Sequence, residues 1–79
     1  MTFVYLLQSQ LDSSKFYVGI SNDPGRRLDE HNSGQSIYTN KFRPWNLTVS
    51  IAFDDPSKAT AFERYLKSGS GRAFAKRHF

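Results

Sequence analysis

The chain has 79 residues, of which 38% are hydrophobic, 15% aromatic and 23% charged, a globular composition rather than a disordered or collagen-like one. Surface scaling gives about 4,900 Å² folded against about 13,000 Å² extended, room for one core, so residues 1–79 read as a single small domain. There is no cysteine, which excludes thiol catalysis, thiolate metal sites and a disulfide scaffold and fits a reducing, cytoplasmic setting, while eleven Lys+Arg against seven Asp+Glu give +4 and favour a polyanionic partner.

The opening stretch MTFVYLLQSQLDSS has no basic n-region and only a short apolar run, so neither a signal peptide nor a membrane span is expected. Thr2 to Leu7 and Lys15 to Ile20 are short runs rich in β-formers and read as two strands. The polar segment Gln8 to Ser14 suits a hairpin loop between antiparallel neighbours. Asn22-Asp23-Pro24 is a helix start, combining a capping side chain with proline at the first helical position. The helix should run to about Asn32 and stop at Ser33-Gly34. Leu28 is its one large apolar residue, so His31 and Asn32, at helical spacing from it, complete the inward face.

Residues 35–46 read as a long loop, and loops of about a dozen residues in a compact domain are more often functional than not. Leu47 to Phe53 alternates at period two, which places Leu47, Val49, Ile51 and Phe53 on one face of a strand. Asp55-Pro56 or Ser57 opens a second helix with an apolar stripe of Ala59, Phe62 and Leu66, ending at Gly69. Ser70 can cap a last short helix. The expectation is an α+β domain, a small three-stranded antiparallel sheet flanked by helices in the order ββαβαα.

Several residues carry chemistry in a recognisable order. Tyr5 closes Phe3-Val4-Tyr5, Tyr17-Val18-Gly19 follows, Arg27 and His31 sit on the next helix, and Glu63 lies within FERYLKSG after the third strand. The composite YVG-x7-R-x3-H, RPW-x-L and FERYLKSG resembles the GIY-YIG nuclease domain over essentially the whole chain. The first triplet departs as Phe-Val-Tyr and keeps its tyrosine. An asparagine common near the end of that family's domain has no counterpart, since no Asn follows Asn46.

The resemblance implies a metal-dependent endonuclease that cleaves DNA phosphodiesters, structure-selective or weakly specific, leaving a 5′-phosphate and a 3′-hydroxyl. The alternative is a non-catalytic nucleic-acid-binding module of the same fold. Catalytic expectations fall on Tyr5, Tyr17, Arg27, His31 and Glu63. Glu63 is the one carboxylate at a family site position, so it is expected to hold a single Mg²⁺ or Mn²⁺ completed by waters and substrate phosphate; its plain structural alternative is an i,i+4 pair with Lys67. Arg27 and His31, also i,i+4, point to one side, and the planar fork of Arg27 suits the scissile phosphate. Adjacent Arg26 reads as a solvent residue able to pair with Glu30. A free phenol is almost wholly protonated at neutral pH, so Tyr5 as general base needs nearby cations and a relay through His31, with Tyr17 as orienter, and the two roles can be exchanged.

The segment Tyr38 to Trp45 interleaves cations and aromatics, and Tyr38, Lys41 and Arg43 are candidate nucleic-acid contacts, while Trp45 is more suited to covering the core edge. Arg72, Lys76 and Arg77 on the last helix form a second candidate rim for the phosphate backbone. Nothing in the sequence calls for an obligate protein partner.

Overall fold

The first strand determines the layout. In the computed structural model, which describes residues 1–79, β1 (Thr2–Ser9) lies between β2 (Phe16–Ser21) and β3 (Trp45–Phe53) in an antiparallel sheet of order β2-β1-β3. Val4, Tyr5, Leu6 and Leu7 are all buried, as befits a central strand covered on both faces. α1 (Pro24–Asn32) and the single turn α2 (Ile37–Asn40) precede β3, and α3 (Pro56–Leu66) and α4 (Gly69–His78) follow it. The expected order ββαβαα is present, with α2 as an addition inside the segment read as loop.

The two faces of β1 feed two separate cores. Val4 packs with Ala59 and Leu66 of α3, and Val18, Ile20, Phe53, Phe62 and Phe74 pack around them. Tyr5 and Leu7 pack with Trp45, joined by Tyr17, Leu28, Phe42 and Leu47. Helices α3 and α4 therefore cover one face, and α1 covers the other.

β3 departs from a simple alternation. Leu6 pairs with Val49, but Leu7 pairs with Leu47, so Thr48 is an extra residue and the register shifts there. The expected single face of Leu47, Val49, Ile51 and Phe53 is thus divided: Leu47 turns with Trp45 toward the Tyr5 core, while Phe53 faces the α3 side.

Local signals at the helix ends hold in detail. The Asp23 carboxylate accepts from the Arg26 amide at 3.1 Å with Pro24 in the first turn, and Asp55 does the same for the Ser57 amide at 2.9 Å with Pro56. α1 ends where expected: Gly34 takes φ +83°, its amide reaches the His31 carbonyl and the Gln35 amide reaches the Glu30 carbonyl, a Schellman termination. The α3–α4 junction differs from expectation. α3 stops at Leu66, and the cap of α4 is Ser68 rather than Ser70, its hydroxyl accepting from the Gly71 amide at 3.1 Å. A Cβ at Gly71 would overlap the Tyr65 carbonyl, so the close return of α4 on α3 calls for glycine there.

The folded surface is 5148 Å², close to the expectation from size, and no helix is long and apolar enough to cross a membrane. Gly71→Ala should lower stability by about 1–3 kcal/mol, the range for forced overpacking against an unyielding neighbour. Urea denaturation should show it as a lower midpoint with an unchanged slope.

Candidate active site

Pairing across β1 and β2 sets Tyr5 opposite Gly19 and Leu7 opposite Tyr17, so both tyrosines rise from the same face of the sheet. Gly19 has a specific role in this: a Cβ there would overlap the Tyr5 ring at Cζ and Oη, so the phenol lies directly over the glycine backbone.

α1 brings its polar inner face onto this surface. His31 and Tyr5 are sealed, at 0% and 1% exposure, with Tyr5 Oη and His31 Nε2 3.3 Å apart. The other ring nitrogen, Nδ1, lies 2.8 Å from the hydroxyl of Thr39, which is itself fully buried on α2. Trp45 locks α2 by donating its indole N–H to the Thr39 carbonyl at 2.9 Å. Asn32 then ties α1 to β3, giving its amide N–H to the Trp45 carbonyl and accepting the Trp45 amide. Every fully buried side-chain nitrogen and oxygen in the molecule has a partner.

Electrostatics set the protonation states. Burial, aided by the Arg27 cation, pushes the His31 imidazole below its ordinary value, so it is neutral at neutral pH. Burial raises the Tyr5 phenol above its ordinary value, and the Arg27 guanidinium beside it pulls the other way without prevailing. The Tyr5 hydroxyl is therefore protonated and donates, and the free lone pair of a neutral His31 is at Nε2 when Nδ1–H donates to Thr39. Arg27 is held in its charged form by Tyr5 and Glu30.

The Tyr17 ring stands 4.6 Å from the His31 ring and 6.1 Å from that of Tyr38, which is 70% exposed. Arg27 and Tyr17, both partly exposed, form the outer rim above the sealed pair. Glu30 meets the solvent-facing Arg26 at 3.8 Å and forms a closer ion pair with Arg27.

Glu63 is joined to this cluster by no hydrogen bond or ion pair. It lies on α3, which packs on the opposite face of the sheet, and its carboxylate meets Lys67 at 3.1 Å. No three of the His, Cys, Asp and Glu side chains are grouped to hold a metal ion. Of the expected nucleic-acid contacts, Tyr38, Lys41, Arg72, Lys76 and Arg77 are exposed. Arg43 is exposed too, but its guanidinium reaches back to the Asn32 carbonyl at 3.4 Å and supports the end of α1.

Sequence reading did not single out Thr39. A four-residue helix leaves no periodic pattern, and its Ser36 makes no side-chain cap, so the turn that buries Thr39 has no local signature. The pull on it is tertiary, through Trp45 and His31.

A family model for the GIY-YIG catalytic domain matches residues 1–77. The chain belongs to the GIY-YIG family. Its GIY-YIG relatives include the UPF0213 protein of Cupriavidus necator, 37% identical over 76 residues, covering 91% of this chain and 80% of that one. The structure-specific endonuclease subunit SLX1 of Scheffersomyces stipitis is 42% identical over 66 residues, and that of Chaetomium globosum 35% over 71, covering 76% and 82% of this chain. This GIY-YIG chain spans only 19% and 22% of the length of those two subunits.

Two outcomes follow from the His31 environment. Thr39→Val removes a hydroxyl at nearly constant volume and leaves Nδ1 unpaired, and should lower stability by about 1–3 kcal/mol, with Thr39→Ser restoring most of it. Because the folded state depresses the His31 pKa below its unfolded value of 6.5, the unfolded chain binds the extra proton first. The contribution of His31 is full above pH 6.5 and is lost as pH falls through the folded value. Urea midpoints measured from pH 8 down to pH 5 should fall for the native chain more steeply than for His31→Gln.

Proposed function

We propose that the chain is an endonuclease acting on nucleic-acid phosphodiesters, DNA foremost, by in-line attack of water. The observation that carries this reading is the sealed Tyr5–His31 hydrogen bond beneath the Arg27 guanidinium. A raised Tyr5 pKa excludes a standing phenolate as the base. A relay avoids that cost: once a phosphate drawn to Arg27 admits its water to the sealed pair, the Tyr5 oxygen takes the proton of that water as its own proton passes to His31 Nε2, so tyrosinate never accumulates.

Arg27 sits where its fork can hold the scissile phosphate and stabilise charge gathering on its oxygens. Tyr17, half-open at the rim, orients the water or the phosphate. Thr39 acts through His31 as a positioning residue, fixing the tautomer that leaves Nε2 free to accept.

A divalent ion fits Glu63 only as one protein ligand completed by waters and substrate oxygens, the habit of Mg²⁺ and shared here with Mn²⁺, because a single carboxylate is on offer. Held by Glu63, such an ion would supply positive charge to offset the negative charge of the phosphoryl oxygens. Lys67, which now engages Glu63, would release it to the ion.

The relatives described as structure-specific endonuclease subunits support selection of substrate by shape. A binding module without turnover is the second reading. It is favoured by the engagement of both Arg27 and Glu63, by Glu30 and Lys67 respectively.

Incubation with labelled duplex, nicked, flapped and single-stranded DNA and RNA, in Mg²⁺, Mn²⁺ or EDTA, separates the two. Cleavage with 5′-phosphate ends in either ion and none in EDTA is the expected result, and no cleavage of any substrate leaves the binding module. Glu63→Ala should abolish turnover while binding persists. Tyr5→Phe should reduce single-turnover rates on the order of 10²-fold or more, the usual worth of general acid–base catalysis. Its stability should change by no more than about 1–2 kcal/mol, one hydrogen bond's worth.

A further inference from the structure

A groove of about 860 Å³ runs along the outer edge of β2, where it meets α3 and α4. β2 is an edge strand, so this side of it has no neighbour in the sheet. The groove begins on the α3–α4 side, with Leu6, Val18 and Leu66 in its floor, and turns around the strand edge to Tyr17 and Tyr38. It therefore leads from the face that carries Glu63's partner, Lys67, to the rim of the tyrosine site.

Its chemistry is one-sided. Lys15, Lys67, Arg72 and Lys76 line it and no Asp or Glu does. Arg72 and Lys76 stand one turn apart on α4 and take no part in any ion pair of the molecule. Three of its aromatic side chains stand open to solvent, Phe16 at 48%, Tyr38 at 70% and, at the chain end, Phe79 at 37% exposure. Exposed rings between unpaired cations suit a ligand with flat apolar faces joined by regular negative charges.

We propose that this groove seats a single-stranded nucleic-acid segment flanking the scissile phosphate, with bases stacked on Phe16 and Tyr38 and phosphates on Arg72 and Lys76. The inference rests on the nuclease reading for its placement of the cut. Stacking tolerates every base and cationic contacts follow the backbone, so the groove recognises strandedness and not sequence. Its volume is at the upper end of the small-ligand range, room for a few unstacked nucleotides. The preferred substrate is then one with an unpaired strand at the cut, such as a branch or flap.

The test is fluorescence anisotropy of the intact protein with labelled short oligothymidylate, and with a blunt duplex of equal length, in EDTA so that no turnover intervenes. Phe16→Ala and Tyr38→Ala, both at exposed rings, should each weaken oligothymidylate binding on the order of tenfold. Arg72→Gln and Lys76→Gln should each reduce the slope of log affinity against log salt by about 0.7. Duplex affinity should be unchanged by the aromatic substitutions, and circular dichroism should confirm that the variants remain folded. Equal weakening for duplex and single strand, or no weakening for either, overturns the proposal. So does displacement of oligothymidylate by polyglutamate as readily as by unlabelled oligothymidylate, which would mark the groove as a site for acidic peptides. Binding is read without cleavage, so an inactive protein with groove-dependent binding sinks only the nuclease reading. An active one indifferent to these substitutions sinks only the groove.

Discussion

A histidine removed from water has two ring nitrogens to satisfy, and leaving either unpaired costs more than an ordinary hydrogen bond returns. His31 meets this with Tyr5 at one nitrogen and Thr39 at the other, and those two partners come from a strand and a turn distant in sequence. To bring Thr39 in, residues 37–40 must coil into a turn, and to hold that turn the Trp45 indole donates to its carbonyl. To bring Tyr5 close, the neighbouring strand must present a glycine, because any Cβ at position 19 would occupy the space of the phenol. The demands of one imidazole thus reach β1, β2, β3, α1 and α2.

The same enclosure determines what the groups can do. Burial disfavours charge on both partners, keeping the imidazole neutral and the phenol protonated, which aligns a donor with an acceptor before any substrate arrives. Arg27 supplies the nearby positive charge, and its ion pair with Glu30 holds the guanidinium over the pair. Glu30 also restrains it, since a phosphate must compete with that carboxylate for the same fork. Binding of an anion here carries an internal competition that an unpaired arginine would lack.

Much of this was legible in the chain because the relevant signals are local. Asp23-Pro24, Asp55-Pro56 and Gly34 mark helix ends through their own dihedrals and side chains, and each is found in that role. His31 and Asn32 were marked as inward-facing because Leu28 alone could not complete a buried stripe, and both are pinned against β3 or its neighbours. What stayed hidden depends on distant partners. The register shift at Thr48 follows from how β3 meets β1, not from its own alternation, and Gly71 is required by the Tyr65 carbonyl across a helix junction. That α3 packs on the sheet face opposite the Tyr5 core follows from tertiary packing, which helical spacing within α3 cannot reveal.

The central strand has a further consequence, in the kinds of change the chain can tolerate over its history. Along β1, Tyr5 and Leu7 belong to the core around the polar site, while the intervening Val4 and Leu6 face α3 and the β2-edge groove. Exchanges of one side chain are felt mainly on one face, so the two layers can drift at different rates. Gain or loss of a single residue within β1 is different in kind, because it exchanges the two sets at once and carries the phenol of position 5 out of reach of His31. The strand is therefore permissive to substitution by similar residues on its α3 side and intolerant of any change in length.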